Sequence, residues 1–136
     1  MTLPAEPEHN IPQMEFKSTE NAYMAWKTTD LELRRKIQAM EPKEAKKLHI
    51  ANGIEIRDNY DAEMRLMTMT ELIRQKFSVK NPELMQKLID TGDVPLIEGN
   101  QWGDTFYGFC FDLGYGMNHL GRILMERRRE LINENA

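Results

Sequence analysis

The chain is 136 residues long, enough to bury about two thirds of the surface its unfolded form exposes, so a single core is expected. With 40% hydrophobic and 29% charged residues, eight glycines and six prolines, the composition excludes a disordered or collagen-like chain. A net charge of -4 supplies no global basic field, which argues against strong general nucleic-acid binding and leaves a local basic pocket open.

Residues 1–15 carry Pro4, Pro7 and Pro12 with little apolar content and read as a flexible, solvated N-terminal arm. A first helix is predicted from Ser18 or Thr19, whose hydroxyls can cap free backbone N–H groups, through Thr28. Asp30 is the expected cap of a second, Leu31 to Met40. A third starts around Pro42, which a first helical turn tolerates, and stops at Gly53. The longest early helix is expected over 62–78, with Met64, Met67, Leu72 and Phe77 on its buried face. Asn81 then caps a helix that has Pro82 in its first turn and Gly92 after its end. From Val94 to Gly116 short apolar pieces broken by Gly and Asp suggest small strands or ordered loop. The last helix opens near Gly116 or Asn118 with positions 117, 120, 124 and 131 on its apolar stripe. Arg128 interrupts that stripe, so its stem should point to the core while its guanidinium needs an anionic partner.

No apolar run reaches 18 residues, so no membrane partner is expected, and the opening MTLPAEPEHNIPQ lacks the basic start and apolar stretch of a secretory signal. A cytoplasmic location is the expectation. The single cysteine, Cys110, excludes an internal disulfide framework and is expected to be packed inside.

Three groups of residues can carry chemistry. Glu20, Tyr23 and Lys27 put a carboxylate, a phenol and an amine on one face of the first helix, with Ala22 and Trp26 as its packed side. Glu20 and Lys27 are about 10 Å apart in helical rise, so they would meet only across a substrate. A solvated face with Tyr23 as the buried element explains the same spacing. The second group, residues 98–108, includes Glu98, Asn100, Trp102, Asp104, Tyr107 and Gly108. Such a loop can stack a heterocycle and bond its edges, the glycines letting backbone approach the ligand. A structural turn with aromatic anchors is the alternative. The third, 114–121, leads Asn118 and His119 into a helix start, where free N–H groups favour an anion. It is neither a dinucleotide fingerprint nor a phosphate-binding loop. His9, His49 and His119 are scattered, so no metal and no cofactor are assigned.

Together these residues resemble the YbiA-like (NADAR) family. The family's C-terminal pattern is matched in order by Leu88 to Gly92, Leu96 to Glu98, Asp104 to Gly108, Gly116 to Gly121, and Leu124 to Leu131 with Arg128 at the arginine position. Thr19, Glu20, Tyr23 and Lys27 are similar to its acid, aromatic and lysine helix, and Lys76-Phe77 before Asn81-Pro82 also fits. Tyr107 stands where many relatives have Trp, and residues 1–16 contain nothing like the family's Leu-Ser-Asn-Phe segment.

The resemblance implies a mainly α, single compact domain over 16–136, with a small strand or ordered-loop region around residues 94–115. It also implies hydrolysis of an N-glycosidic bond between a ribose phosphate or ADP-ribose unit and an amino-pyrimidine or guanine-type base. In that reading Glu20 and Asp104 supply a carboxylate and a proton donor, and Lys27 attacks an opened sugar. Trp102 and Tyr107 stack the base. Tyr23, Glu98, Asn100 and Gly108 line the pocket, Asn118 with the adjacent helix start holds ribose or phosphate, and Arg128 braces an acid or phosphate. The partner is a small nucleotide-like substrate or an ADP-ribosylated base, and a homo-oligomer stays open. Because of the missing segment, a non-catalytic ADP-ribose or nucleotide-binding module and a helical interaction protein remain as alternatives.

Overall fold

A computed structural model describes residues 1–50 and 55–134, the side chains of 49 and 50 excepted. The protein is mainly α-helical, and it divides into two compact units, Met1–Gln75 and Lys76–Ala136, where length alone suggested one core. Each unit is built on its own logic.

The first unit begins with a hairpin rather than a solvated arm. Strand β1 (Thr2–Leu3) pairs antiparallel with β2 (Met14–Glu15), matching Thr2 to Glu15 and Leu3 to Met14. A 3₁₀ turn over Pro7–His9, closed by Asn10 in the left-handed region, and a Glu6–Ile11 bridge join them. Leu3, Ile11, Met14 and Phe16 are buried, so a stretch that looks apolar-poor contributes four side chains to the core. The open backbone of Thr2 is satisfied by the Gln75 amide, which donates to its carbonyl at 3.0 Å and accepts from its N–H at 2.6 Å.

Helix α1 (Thr19–Trp26) starts on Ser18, whose hydroxyl accepts the Asn21 N–H at 3.0 Å. It is buried on almost every side, which removes the solvated-face reading; Glu20 alone in the helix is half exposed. Helix α2 (Leu31–Ala39) is capped by Asp30, which accepts from Glu32 and Leu33 N–H groups. The fully buried Asn21 amide donates at 2.9 Å to both the Ile37 and Met40 carbonyls, satisfying acceptors that the end of α2 leaves open. Helix α3 (Pro42–Ile50) starts where expected and packs on α1; its expected stop at Gly53 lies outside the described residues. Helix α4 (Ala62–Lys76) buries Leu72 as expected, but the rest of its inward face differs from the expected one. Met69, Leu72 and Ile73 are buried, Met64 and Phe77 are half-buried, and Met67 is 58% exposed. Apolar residues surround this helix, so spacing alone does not select the face.

A buried charge cluster ties the unit together. The Glu6 carboxylate accepts from Arg34 at 2.5 Å and from Arg57 at 2.5 and 3.2 Å, and Arg34 is fully buried. Arg34 also donates to the Thr28 carbonyl at 2.9 Å. Burial resists ionisation of Glu6, but hydrogen bonds and charge from Arg57 and Arg34 outweigh it and hold the carboxyl below its ordinary value.

In the second unit α5 (Pro82–Asp90) begins with Pro82 in its first turn and is followed by Gly92 at φ 70°. Asn81 occupies the cap position, yet its side chain makes no cap bond and donates back to the Lys76 carbonyl at 3.0 Å. Two short strands, β3 (Gly99–Asn100) and β4 (Phe109–Cys110), pair in parallel within the expected strand region. Cys110 is fully buried, as its apolar surroundings suggested. Helix α6 (His119–Glu134) packs on α5 and buries Gly121, Arg128 and Leu131, while Met117 lies outside it and is exposed. Among the described residues no helix is long and apolar enough to cross a membrane.

Replacing Glu6 by Ala leaves two buried guanidiniums without their carboxylate, and unfolding free energy should fall by about 3–5 kcal/mol in urea titrations. Because the folded pKa of Glu6 lies below its ordinary value of 4.5, its contribution is complete above that pH and is lost as pH falls through the folded value. The difference between wild type and E6A should therefore shrink at acid pH, and a constant difference would show that charge is not the source.

Candidate active site

Lys27 closes α1 at its C-cap and is only 7% exposed. Its amine lies 5.3 Å from the centroid of the Tyr23 ring and 5.7 Å from that of Tyr60. Burial first, and the positive charge of Arg65 second, lower its pKa from 10.5 to about 8.

The surrounding aromatics form a continuous cluster. Trp26 lies 5.8 Å from Tyr23 and 5.7 Å from Tyr60, and the Tyr23 and Tyr60 hydroxyls share a hydrogen bond. Burial and the neighbouring Tyr23 push the Tyr60 phenol up to about 12, so it stays neutral. Arg65 places its guanidinium 4.9 Å from the Tyr60 centroid and donates to the Tyr23 hydroxyl at 3.4 Å.

The end of α1 is held by Arg57. Its backbone N–H donates to the Lys27 carbonyl at 2.7 Å, and its side chain donates to the Trp26 carbonyl at 2.8 Å while lying 4.9 Å from the Trp26 ring. These are acceptors that a helix terminus cannot satisfy internally. Thr28 and Arg57 also line a polar cleft of about 740 Å³. The cluster of Glu6, Glu8 and His9 brings possible metal-ligating atoms within 4.8 Å of one another, but Glu6 is already held by two guanidiniums and no ligand set is assigned.

Sequence spacing correctly set Tyr23 beside Lys27. It missed Tyr60, Arg65 and Arg57, which lie 30 or more positions further along and carry no motif. The DNYDAEMR stretch offered only its density of charged and aromatic residues as a signal.

In the second unit the expected ligand groups are largely occupied with the loop itself. Asp104 Oδ1 accepts the Phe106 and Tyr107 N–H groups at 3.1 and 3.0 Å. Buried Asn100 donates to the Asp104 and Phe109 carbonyls and accepts the Asp104 N–H. Asn118, at φ 52°, accepts the Glu98 N–H and donates to the Leu96 carbonyl, both at 2.9 Å. The N–H groups of residues 117–120 donate to the carbonyls of Thr105, Gly108, Phe106 and Tyr107, so the expected anion site at this helix start is filled by backbone. Gly108 is required by close packing, since a Cβ there would stand 2.5 Å from the Glu98 carbonyl oxygen. Arg128 meets a neutral partner rather than an acid, donating to the Thr91 hydroxyl at 2.9 Å. Trp102 is 75% exposed, while Tyr107 is half-buried with its ring edge-on to Phe106 at 4.8 Å. Glu98 is exposed as well.

A buried, readily neutralised lysine in a tyrosine cage defines a candidate site for amine chemistry in a mainly helical protein. The chain belongs to the NADAR family, whose NADAR domain model matches residues 1–132. That match includes the hairpin at 1–16, which the sequence had suggested lay outside the domain.

A riboflavin biosynthesis protein of Vibrio vulnificus is 35% identical over 117 residues, covering 85% of this chain and 31% of the relative. An N-glycosidase of Nostoc punctiforme is 34% identical over 95 residues, covering 70% of this chain and 58% of the relative. The chain thus spans less than two thirds of the length of either. The solved structure of the E. coli protein YbiA has a TM-score of 0.76 at 27% identity, over 88% of this chain and 70% of that one.

Burial of Lys27 also predicts a stability signature. Below pH 8 both folded and unfolded states carry the proton, and the folded state bears the cost of burying it. Between about 8 and 10.5 the folded state has released the proton that the unfolded state still holds, so wild-type stability gains on that of a K27M variant. K27M should melt higher than wild type at pH 7, with the gap narrowing toward pH 10. Identical pH dependence in the two proteins would contradict a buried, proton-releasing amine.

Proposed function

We propose that the chain hydrolyses an N-glycosidic bond between a ribose phosphate or ADP-ribose unit and an amino-pyrimidine or guanine-type base, with Lys27 as nucleophile. The observation that carries this reading is the Lys27 amine itself, enclosed by Tyr23 and Tyr60, with its pKa lowered to about 8. Membership of a family that includes a relative named as an N-glycosidase gives that amine a reaction suited to it.

The chemistry balances with one water. Ring opening transfers a proton to the ribose ring oxygen and leaves C1 doubly bonded to the base nitrogen. Neutral Lys27 adds its lone pair to C1, both protons of its amine pass to the base nitrogen as the C1–N bond to the base breaks, and C1 becomes an imine of Lys27. Water then adds to C1, and the lysine leaves as an amine, releasing the sugar as its aldehyde. About a tenth of an amine with pKa near 8 is neutral at pH 7, so the attacking form is present without a separate base.

Glu20 sits on the first turn of the same helix, roughly 10 Å of rise from Lys27. It therefore meets the substrate at a different atom, which suits proton transfer at the ring oxygen or departing base. In the second unit we assign Asp104, Asn100 and Asn118 to shaping their own loop.

Incubation with an N-ribosylated amino-pyrimidine 5′-phosphate or with ADP-ribosylated guanine should release free base, at a rate that rises with pH and levels near pH 8. Borohydride should trap a sugar adduct on Lys27, located by peptide mass spectrometry. K27A and K27R should lower turnover at least about a thousandfold, since arginine keeps the charge and cannot supply a neutral amine. Base release without trapping, or full activity in K27R, would rule out the lysine route; no release from either substrate would rule out the activity.

A further inference from the structure

We propose that Arg65 is a positioning residue for Lys27, acting through the Tyr23–Tyr60 pair that both cations touch. The proposal deepens the lysine reading above, and its geometry lies wholly in the first unit.

Arg65, in the first turn of α4, stacks its guanidinium on Tyr60 at 4.9 Å and donates to the Tyr23 hydroxyl at 3.4 Å. Lys27 meets the same two rings at 5.3 and 5.7 Å. One arginine therefore orients both walls of the amine's enclosure and brings a permanent positive charge to it. An aromatic cage alone attracts an ammonium and favours the protonated form. A second cation bound to the same cage opposes that preference, because the like charges repel when Lys27 is protonated and not when it is neutral. The direction agrees with Arg65 being the charged group that lowers the lysine's proton affinity after burial.

Other charges near α1 are disposed differently. Arg57 is neutralised in part by Glu6, shared with Arg34, and bonds the Lys27 carbonyl rather than its amine. On α3, Ala45 is buried while Lys43, Glu44, Lys46 and Lys47 are exposed. Glu15 on the hairpin is exposed, and Asp61 at the start of α4 accepts the Met64 N–H. Arg65 is the cation that reaches the Lys27 cage from α4.

The test reads Lys27 directly, without substrate. Trace acetylation with acetic anhydride across pH 6 to 10, followed by peptide mass spectrometry, reports the neutral fraction of Lys27 relative to exposed lysines. Wild type should show a midpoint near 8. R65Q and R65M should move the midpoint upward and slow Lys27 labelling at pH 7 by roughly three- to tenfold. R65K, which keeps the charge, should stay close to wild type. Equal shifts in R65K and R65Q would reduce Arg65 to a packing element, and no shift in any variant would overturn the proposal. Half-exposed Arg65 tolerates these replacements without loss of a core side chain, and melting curves on the same samples check it.

Failure of the hydrolysis reading is distinguishable. If the labelling midpoints behave as stated but wild type releases no base, Arg65 still positions Lys27 and the assigned reaction is wrong.

Discussion

A single carboxylate inside the first unit organises most of what matters there. Glu6 sits between two guanidiniums that come from α2 and from the stretch before α4, joining three parts of the chain that are far apart in sequence. Burying one acid and two arginines is costly, and the cost is offset only because the geometry lets the carboxylate meet both cations while Thr28 and Trp26 carbonyls take further N–H groups. The cluster is therefore a specification device more than a source of net stability. It holds the hairpin at 1–16 against the helices and sets Arg57 at the end of α1, beside Lys27.

Around Lys27 opposing effects compete, and their sizes decide the result. Two tyrosine rings stabilise a charged amine by about 1–2 kcal/mol, whereas burial and the nearby arginine favour the neutral form by more. The outcome is an amine poised near pH 8. An exposed lysine on the same helix face would remain an ammonium at any physiological pH, with no lone pair to offer. Enclosure is what turns an ordinary side chain into a candidate nucleophile.

The second unit shows how a polar loop can be dense in functional-looking groups and still use them on itself. Asn100, Asp104 and Asn118 bond backbone that has no partner in a regular sheet, since only two short strands run through this region. Backbone carbonyls likewise cover the start of α6. What the loop leaves outward is ring surface, chiefly that of Trp102.

The sequence by itself determined the elements with local causes. Ser18 and Asp30 cap helices because their side chains reach N–H groups two or three residues on, and Pro42 and Pro82 start helices because they lack an N–H that the first turn would waste. The ordered motifs of the C-terminal half were enough to indicate the family, and the spacing of Tyr23 and Lys27 indicated one wall of the site. Tertiary structure decided the rest, for a physical reason common to each case. Burial of the hairpin, the inward face of α4, the enclosure of Lys27 by Tyr60 and Arg65, and the pairing of Glu6 with Arg34 and Arg57 all depend on groups remote in sequence. No periodicity or motif records such a meeting, because each side chain's chemistry is local while its partner is supplied by the fold.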